Sequence, residues 1–397
     1  MTDRIAVVGI GEGGLVSMKP AARALIENAK VLVGGARHLA MIPEGHAQQR
    51  IEWTTLEETL EAIASHADHD LVVLASGDPM WFGLGATLAK RFGSERLFVV
   101  PTPGAFSLAA ARLGWPLQDT ICLTVHGRPL ENVTMHLAPG QKLLLLGNDE
   151  FTPMKIGDLL RRHGYKSSRM TVLSNLGGPR ERIVTGIQAG VGLDVIALEC
   201  VADEGVVPLS RVPGLPDDAF EHDGQITKRE VRAATLAALS PLPGQTLWDI
   251  GAGSGSIAIE FLRAAPSAKA VAFEKNPERR TRIARNALSL GVPSLEIVAG
   301  QAPDILKDRS DTPDTVFVGG GVSNPGLLES AWTALKPGGK LVANAATLEG
   351  EASLFAWQAE KGGDLVRLSV ERLEAVGAFN VWKPAIPVTQ YCGVKRG

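Results

Sequence analysis

The stretch Leu247–Phe261, LWDIGAGSGSIAIEF, decides the fold of the half of the chain that contains it. LWDI is a short apolar run of the kind that forms a buried strand, and SIAIEF opens an apolar helix. Between them Gly251, Gly253 and Gly255 alternate with Ala252 and Ser254. A strand that passes through a glycine turn into a helix begins a nucleotide-binding α/β unit. A dinucleotide turn needs G-x-G-x-x-G, and Ser256 stands where its third glycine belongs. A pyrophosphate is an anion that a helix N-terminus holds. S-adenosylmethionine instead brings an ammonium at its amino-acid end, and Asp249 beside the turn suits that charge. Gly251 and Gly253 allow the backbone to approach a ligand without a Cβ clash.

Downstream, AFEKNP ends the next strand on Glu274, the place of an acid that binds two ribose hydroxyls. Nicotinamide enzymes use the same device, so Glu274 does not separate the two cofactors. After the third strand, GQAPDI offers Gln301, Ala302 and Asp304 beside an adenine. Asp249, the glycines and Glu274 in register favour methyl transfer. A nicotinamide oxidoreductase and a tight turn without ligand are the alternatives. Nucleic-acid amino methylases carry an N/D-P-P-Y/F turn after the fourth strand, where this chain reads FVGGGVSNP. Asn324-Pro325 is out of register there and suits a helix cap. The net charge of −3 also argues against a nucleic-acid partner.

Upstream, ITKREVRAATLAAL reads as a helix with Val231, Leu236 and Leu239 on one buried stripe. Its start carries Lys228, Arg229 and Arg232, either a solvated helix end or a rim for an acidic substrate. Strands are expected at Leu247–Ile250, Ala270–Glu274, Glu296–Val298, Thr315–Val318 and Lys340–Asn344. Asp364–Glu371 and Asn380–Val394 read as two long strands with no room for a helix between them, an antiparallel end to a parallel sheet.

The first half repeats the strand–helix alternation of an α/β protein. Strands are expected at Ile5–Ile10, Val31–Val33, Leu71–Ala75, Leu97–Val100, Ile121–Val125, Lys142–Leu146, Met170–Ser174 and Val195–Cys200, with helices such as Leu56–Ala67 and Pro153–His163. VVGIGEGG at Val7–Gly14 is a second glycine turn, but VLVGGAR supplies no acid at the following strand end. Its companions carry more weight: ASGDPMWFGLG, PTPGAFSLAAARLGWP, LTVHGR and LLGNDEFTP each follow a strand. Such turns converge on one edge of an open sheet, where ligands bind. The 397 residues suit two domains. Periodicity stops between Ala202 and Gln225, so the expected boundaries are 1–202, a linker at 203–224, and 225–397.

Cys122, Cys200 and Cys392 lie far apart, so neither a metal site nor a disulfide framework is expected. MTDRIAVVGIG lacks a signal peptide's basic start and apolar core, and no run reaches the ~20 apolar residues of a membrane span. A cytoplasmic protein without membrane contact is the expectation.

The four strand-turn segments of the first half together resemble the tetrapyrrole methylase family, which methylates ring carbons of precorrins. ITKREVR, WDIGAGSGS, VGGG and ANAATLE resemble the decarboxylating precorrin methylase domain. The resemblance implies a two-subdomain methylase fold followed by a Rossmann-like class I methyltransferase sheet. It implies two S-adenosylmethionine sites, a precorrin substrate of cobalamin synthesis and assembly as a homo-oligomer. The implied reactions are methylation at C5 by the first domain, and methylation at C15 with loss of the C12 acetate carboxyl by the second. In the first domain it implies that Gly77, Asp78 and Pro79 line the cofactor cleft, with Ser107 and the Gly147 turn nearby, and that Gly9–Gly13 border a substrate trough. His126 and Arg128 match its HGR. In the second it implies cofactor contacts from Thr227, Gly251, Ala252, Gly253, Ser254, Gly255, Glu274 and Ala302. Asn344 and Thr347, in ANAATLE, are implied on the substrate side, as are Lys228, Arg229 and Arg232.

Overall fold

The computed structural model describes residues 4–43, 48–67 and 70–396. The chain divides into two compact units: Met1–Leu130 with His136–Val206, and Glu131–Met135 with Val207–Gly397.

The first unit holds two sheets. Strands β1 (Ile5–Ile10), β2 (Val31–Gly34), β3 (Gln49–Glu52), β4 (Leu71–Ser76) and β5 (Leu97–Val100) form a parallel sheet in the order β3-β2-β4-β1-β5. All six residues of β1 are buried, because helices cover both faces. Ala6, Val8 and Ile10 pack with Ile26 on one side; Ile5 and Val7 pack with Ile63 and Leu88 on the other. Strands β6 (Thr120–Thr124), β7 (Lys142–Leu146), β8 (Arg169–Ser174), β9 (Arg182–Thr185) and β10 (Asp194–Glu199) form the second sheet, ordered β6-β7-β10-β8-β9 and parallel only between β6 and β7. β3 and β9 have no counterpart among the expected strands. They are edge strands with exposed or half-buried residues, so QRIE and RIVT show no apolar run.

The second unit is built on β11 (Thr246–Ile250), β12 (Lys269–Glu274), β13 (Glu296–Ala299), β14 (Thr315–Val318) and β15 (Lys340–Ala345), all parallel. The two long strands expected near the end are in fact four: β16 (Asp364–Leu368), β17 (Glu371–Val376), β18 (Phe379–Pro384) and β19 (Val388–Val394). β19 enters the sheet antiparallel between β15 and β16, giving the order β13-β12-β11-β14-β15-β19-β16. β17 and β18 leave it as a separate exposed hairpin. Pro384 and Pro387 bracket the break between β18 and β19, since proline cannot donate to a ladder.

The helix Arg229–Leu239 buries Val231, Leu236 and Leu239 as its periodicity predicts. Part of the stretch expected to be a linker, 203–224, packs into this unit. Leu215 and Phe220 join its core, and the backbone N–H groups of Gly214 and Leu215 donate to Glu260 at 2.6 and 3.0 Å. Aperiodic, proline-rich chain carries no signal for such anchoring. Among the described residues no helix is long and apolar enough to cross a membrane, and no cluster of metal-binding side chains occurs.

Candidate active sites

In the second unit the carboxyl ends of the parallel strands open into a cavity of about 590 Å³. Its wall includes Thr227, Lys228, Gly251, Ala252, Gly253 and Glu274, with Gln301 and Ala302 from the turn after β13. Gly319–Gly321 close it after β14, and Asn344 at the end of β15. Gly251 has φ +73°, and a Cβ there would lie 3.0 Å from the Gly320 nitrogen, so the two turns can meet only through glycine. Glu274 is buried; its oxygens accept from the N–H groups of Gly253 at 3.0 Å and Asn276 at 2.9 Å. The acid at the second strand end is thus fixed against the glycine turn.

Asn344 is held by a small network. The Thr235 hydroxyl donates to the Val231 carbonyl at 2.8 Å, so it accepts from Asn344 Nδ2 at 2.9 Å and Gln390 Nε2 at 3.0 Å. Gln390 also donates to Asn344 Oδ1 at 2.9 Å. One amide N–H of Asn344 remains for the cavity.

Several expected contacts lie outside this wall. Arg232 is fully buried and paired with Glu260 and Asp217, so it is not free to hold a substrate arm. Arg229 is exposed and away from the wall. Thr347 caps the helix Leu348–Lys361 by accepting from the Gly350 N–H. Ser254 is buried below the turn, and Gly255 starts the helix Ser256–Ala264 against Ile283. Asp249 also lies beneath the turn: Oδ2 accepts from the Ala258 N–H at 3.1 Å, and Oδ1 has no hydrogen-bond partner among the described residues. It bonds helix backbone where an ammonium contact was expected.

Burial pushes the Asp249 carboxyl up to about 7, opposed by the Ala258 N–H and reinforced by the charge of Glu274. Unfolded, it titrates near 3.8. The folded state therefore binds this proton more tightly, and the resulting stabilisation is full below about pH 4 and lost as pH rises to about 7. Asp249→Asn is expected to remove that loss. In urea unfolding at about pH 5 and about pH 8, wild type should weaken relative to the variant at the higher pH. Parallel behaviour of the two proteins would show that Asp249 ionises normally.

In the first unit the turns after β1, β4 and β5 meet at one sheet edge. A Cβ on Gly9 would lie 1.9 Å from the Gly77 carbonyl oxygen, and one on Gly77 would lie 2.7 Å from Gly104 Cα. Gly77 has φ +54°. Asp78 closes the next turn by accepting from the Met80 N–H, and Pro79 is buried behind it. Ser107 is on the helix Ala105–Leu113 that starts at this junction. The Gly147 N–H donates to the Asp194 carbonyl at 2.9 Å. Asn148 Oδ1 accepts from the Gly127 N–H at 3.3 Å, which joins the HGR turn to the turn after β7. Arg128 and Lys155 line a second cavity there, of about 360 Å³, and Arg128 lies over the Phe82 ring; His126 is exposed.

Sequence reasoning passed over a polar cluster at this edge. Arg37 donates to Glu12 and, at 3.0 Å, to Ser76 Oγ, and His38 Nε2 lies 2.9 Å from the same hydroxyl. Burial, then the Arg37 charge, lowers the His38 pKa to about 4, so its ring is neutral near pH 7. The visible signal was Arg37-His38 following an apolar strand end.

Residues 4–188 match the model of the Tetrapyrrole (Corrin/Porphyrin) Methylases, and residues 218–395 match that of the Precorrin methyltransferase domain. A Sinorhizobium precorrin-6Y C(5,15)-methyltransferase (decarboxylating) is 46% identical over 98% of this chain and 96% of its own length. The chain belongs to the precorrin-6Y C5,15-methyltransferase (decarboxylating) family. Shorter relatives of this family match parts of the chain. A Salmonella typhimurium cobalt-precorrin-7 C(5)-methyltransferase is 30% identical over 49% of this chain and 98% of its own length. A Saccharolobus solfataricus protein described as a probable cobalt-precorrin-6B C(15)-methyltransferase (decarboxylating) is 34% identical over 35% of this chain and 72% of its own length. None of these relatives supports the nicotinamide or nucleic-acid alternatives.

Proposed function

We propose that this chain methylates a precorrin at C5 and C15, with S-adenosylmethionine as donor, and removes the carboxyl of the C12 acetate. The carrying observation is the full-length match, at 46% identity, to one relative whose name contains both methylations and the decarboxylation. The first unit is assigned to C5 and the second to C15 and the decarboxylation. Each activity also occurs in the name of a shorter relative, which supports two separable sites.

The residues present fit the donor at the second site. The glycine turn gives close backbone approach, Glu274 faces the cavity at the ribose position, and Gln301 and Ala302 flank an adenine position. When bound, S-adenosylmethionine supplies a sulfonium-activated methyl group. The chain then has only to align that methyl with a ring carbon and exclude water. C5 and C15 lie in enamine-like parts of the reduced ring and are nucleophilic. The new C–C bond would take its electron pair from the ring as the S–CH₃ bond breaks; that bond's pair would go to sulfur, S-adenosylhomocysteine would leave, and the methylated ring carbon would lose its proton. In decarboxylation the C–CO₂ bond breaks, the conjugated ring takes its electron pair and carbon dioxide leaves; the former acetate CH₂ then takes up a proton and becomes a methyl group. Lys228, on the cavity wall, and the free amide N–H of Asn344 are positioned to hold polar arms of the substrate. The Gly77–Pro79 turn, Ser107 and the Gly147 turn form the proposed first cofactor site, with His126 and Arg128 on its substrate side.

The same reading takes the protein to be cytoplasmic, without a nucleic-acid partner, and a homo-oligomer. Mass spectrometry of the chain with precorrin-6Y and donor tests the whole. The expected product has gained two methyl groups and lost one carbon dioxide. A product with one methyl and its carboxyl intact would overturn the bifunctional reading.

A further inference from the structure

The cavity of the second unit has an end that the donor does not explain. Five cations line it, Lys228, Lys275, Arg279, Arg372 and Lys383; Lys228 and Arg279 pair with Asp217 and Asp223, which are not part of the wall, and Lys275, Arg372 and Lys383 share it with Glu230, Glu274 and Glu374. A sulfonium donor with its own ammonium gains little from cations, so cations whose acid partners can be exchanged suit a different, anionic ligand.

Two of these cations have an unusual placement. Arg372 on β17 and Lys383 on β18 stand directly opposite each other in the hairpin, on the face turned to the cavity. Like charges facing across an antiparallel pair destabilise it. Here each has a nearby acid: Glu230 accepts from Arg372 at 2.5 Å, and Glu374 from Lys383 at 2.8 Å. All four side chains are about half exposed, so these bridges are weak and can be exchanged for another carboxylate. At the base of the hairpin Leu368, Val370, Ile386 and Val388 add an apolar stretch to the same wall. Apolar surface bordered by paired cations matches a flat ring that carries carboxylate arms.

We propose that the β17–β18 hairpin is the substrate clamp of the second site. Arg372 and Lys383 take carboxylate arms of the tetrapyrrole, displacing Glu230 and Glu374, while the apolar wall lies against the ring. This inference rests on the function proposed above and adds the residues that select a polycarboxylated ring.

The test uses the full chain with Arg372→Gln, Lys383→Gln and both together. Carbon dioxide release is followed against precorrin-6Y concentration, and donor affinity by calorimetry. KM for precorrin-6Y is expected to rise about tenfold in each single variant and further in the double. Donor affinity should stay within about twofold, and the salt dependence of kcat/KM should flatten in the double variant. Trp382→Ser, on the opposite hairpin face, should leave KM unchanged. A double variant of wild-type thermal stability with wild-type KM overturns the clamp. So does an equal rise in Trp382→Ser, or an equal loss of donor affinity, since either marks the hairpin as structural. If wild type itself releases no carbon dioxide from precorrin-6Y, the function falls and takes the clamp with it.

Discussion

Arg232→Ala is expected to destabilise the second unit strongly and not merely to weaken its hold on substrate. Arg232 and Glu260 are almost wholly shielded from solvent. The guanidinium donates to Glu260 at 2.6 Å, to Asp217 at 3.0 Å, to the Thr227 carbonyl at 2.5 Å and to the Leu215 carbonyl. Alanine would leave the buried Glu260 carboxylate without its ion-pair partner, held only by the N–H groups of Gly214 and Leu215 and the more distant charge of Arg263. Removing one partner of a buried ion pair costs about 3–5 kcal/mol, a large share of the roughly 5–15 kcal/mol that holds a domain together. The loss would be felt along residues 214–217, at the start of the helix Arg229–Leu239 and at Thr227, which lines the cavity. Hydrogen exchange on the intact chain reads it directly: amides of the helices Arg229–Leu239 and Ser256–Ala264 should lose about a hundredfold of protection or more. Arg232→Met with Glu260→Leu, which removes both charges and keeps bulk, should recover much of it. Unchanged protection together with a raised KM for precorrin-6Y would restore Arg232 as a substrate anchor.

In the first unit, Gly9→Ala is expected to weaken donor binding at that site strongly while leaving the other intact. β1 and β4 are locked in register, with Gly9 beside Ala75, so the strands cannot part to admit a methyl group. The added Cβ would stand 1.9 Å from the Gly77 carbonyl oxygen, far inside contact distance. The Gly77–Pro79 turn must move, and Gly77 is itself confined by φ +54° and by Gly104. Overpacking of this kind costs about 1–3 kcal/mol, here concentrated in the turn assigned to the donor, so affinity should fall about a hundredfold. Calorimetry of wild type is expected to give two equivalents of S-adenosylmethionine, and of Gly9→Ala one. Gly251→Val should remove the other equivalent. The Gly9→Ala product should carry a single new methyl and still lose carbon dioxide. A wild-type stoichiometry of one would end the two-site reading, and two equivalents in Gly9→Ala would move the first site away from this edge.

The sheets were legible because buried parallel strands such as IAVVGI and LVVLAS are continuous apolar runs, and glycine turns mark their carboxyl ends. Edge strands β3 and β9 were not, since exposed residues need no pattern. Alternation showed that the region after residue 364 is extended but not that β17 and β18 leave the sheet, because exposed pairs obey the same period of two. At the second site, motif position identified the wall formed by Gly251, Ala252, Gly253, Glu274 and Ala302. It failed for Asp249 and Arg232, whose charges face inward. Sequence shows that a charge is near a turn but not on which side of it, and burial depends on distant partners such as Glu260. Arg372 and Lys383 were invisible for a related reason: they lie far along the chain from the glycine turn at Gly251–Gly255, and only the return of the hairpin brings them to the cavity.

The place of β19 orders events during translation. Residues 388–394 follow every other described strand of the unit in chain order, yet they fill an interior position between β15 and β16 and supply Gln390, which fixes Asn344. Until they emerge, the nascent second unit displays the open edge of β15 with no neighbour, a surface on which chaperones act. The first unit has all its strands by Glu199, before the second sheet begins, so the two halves mature at different times on the same message.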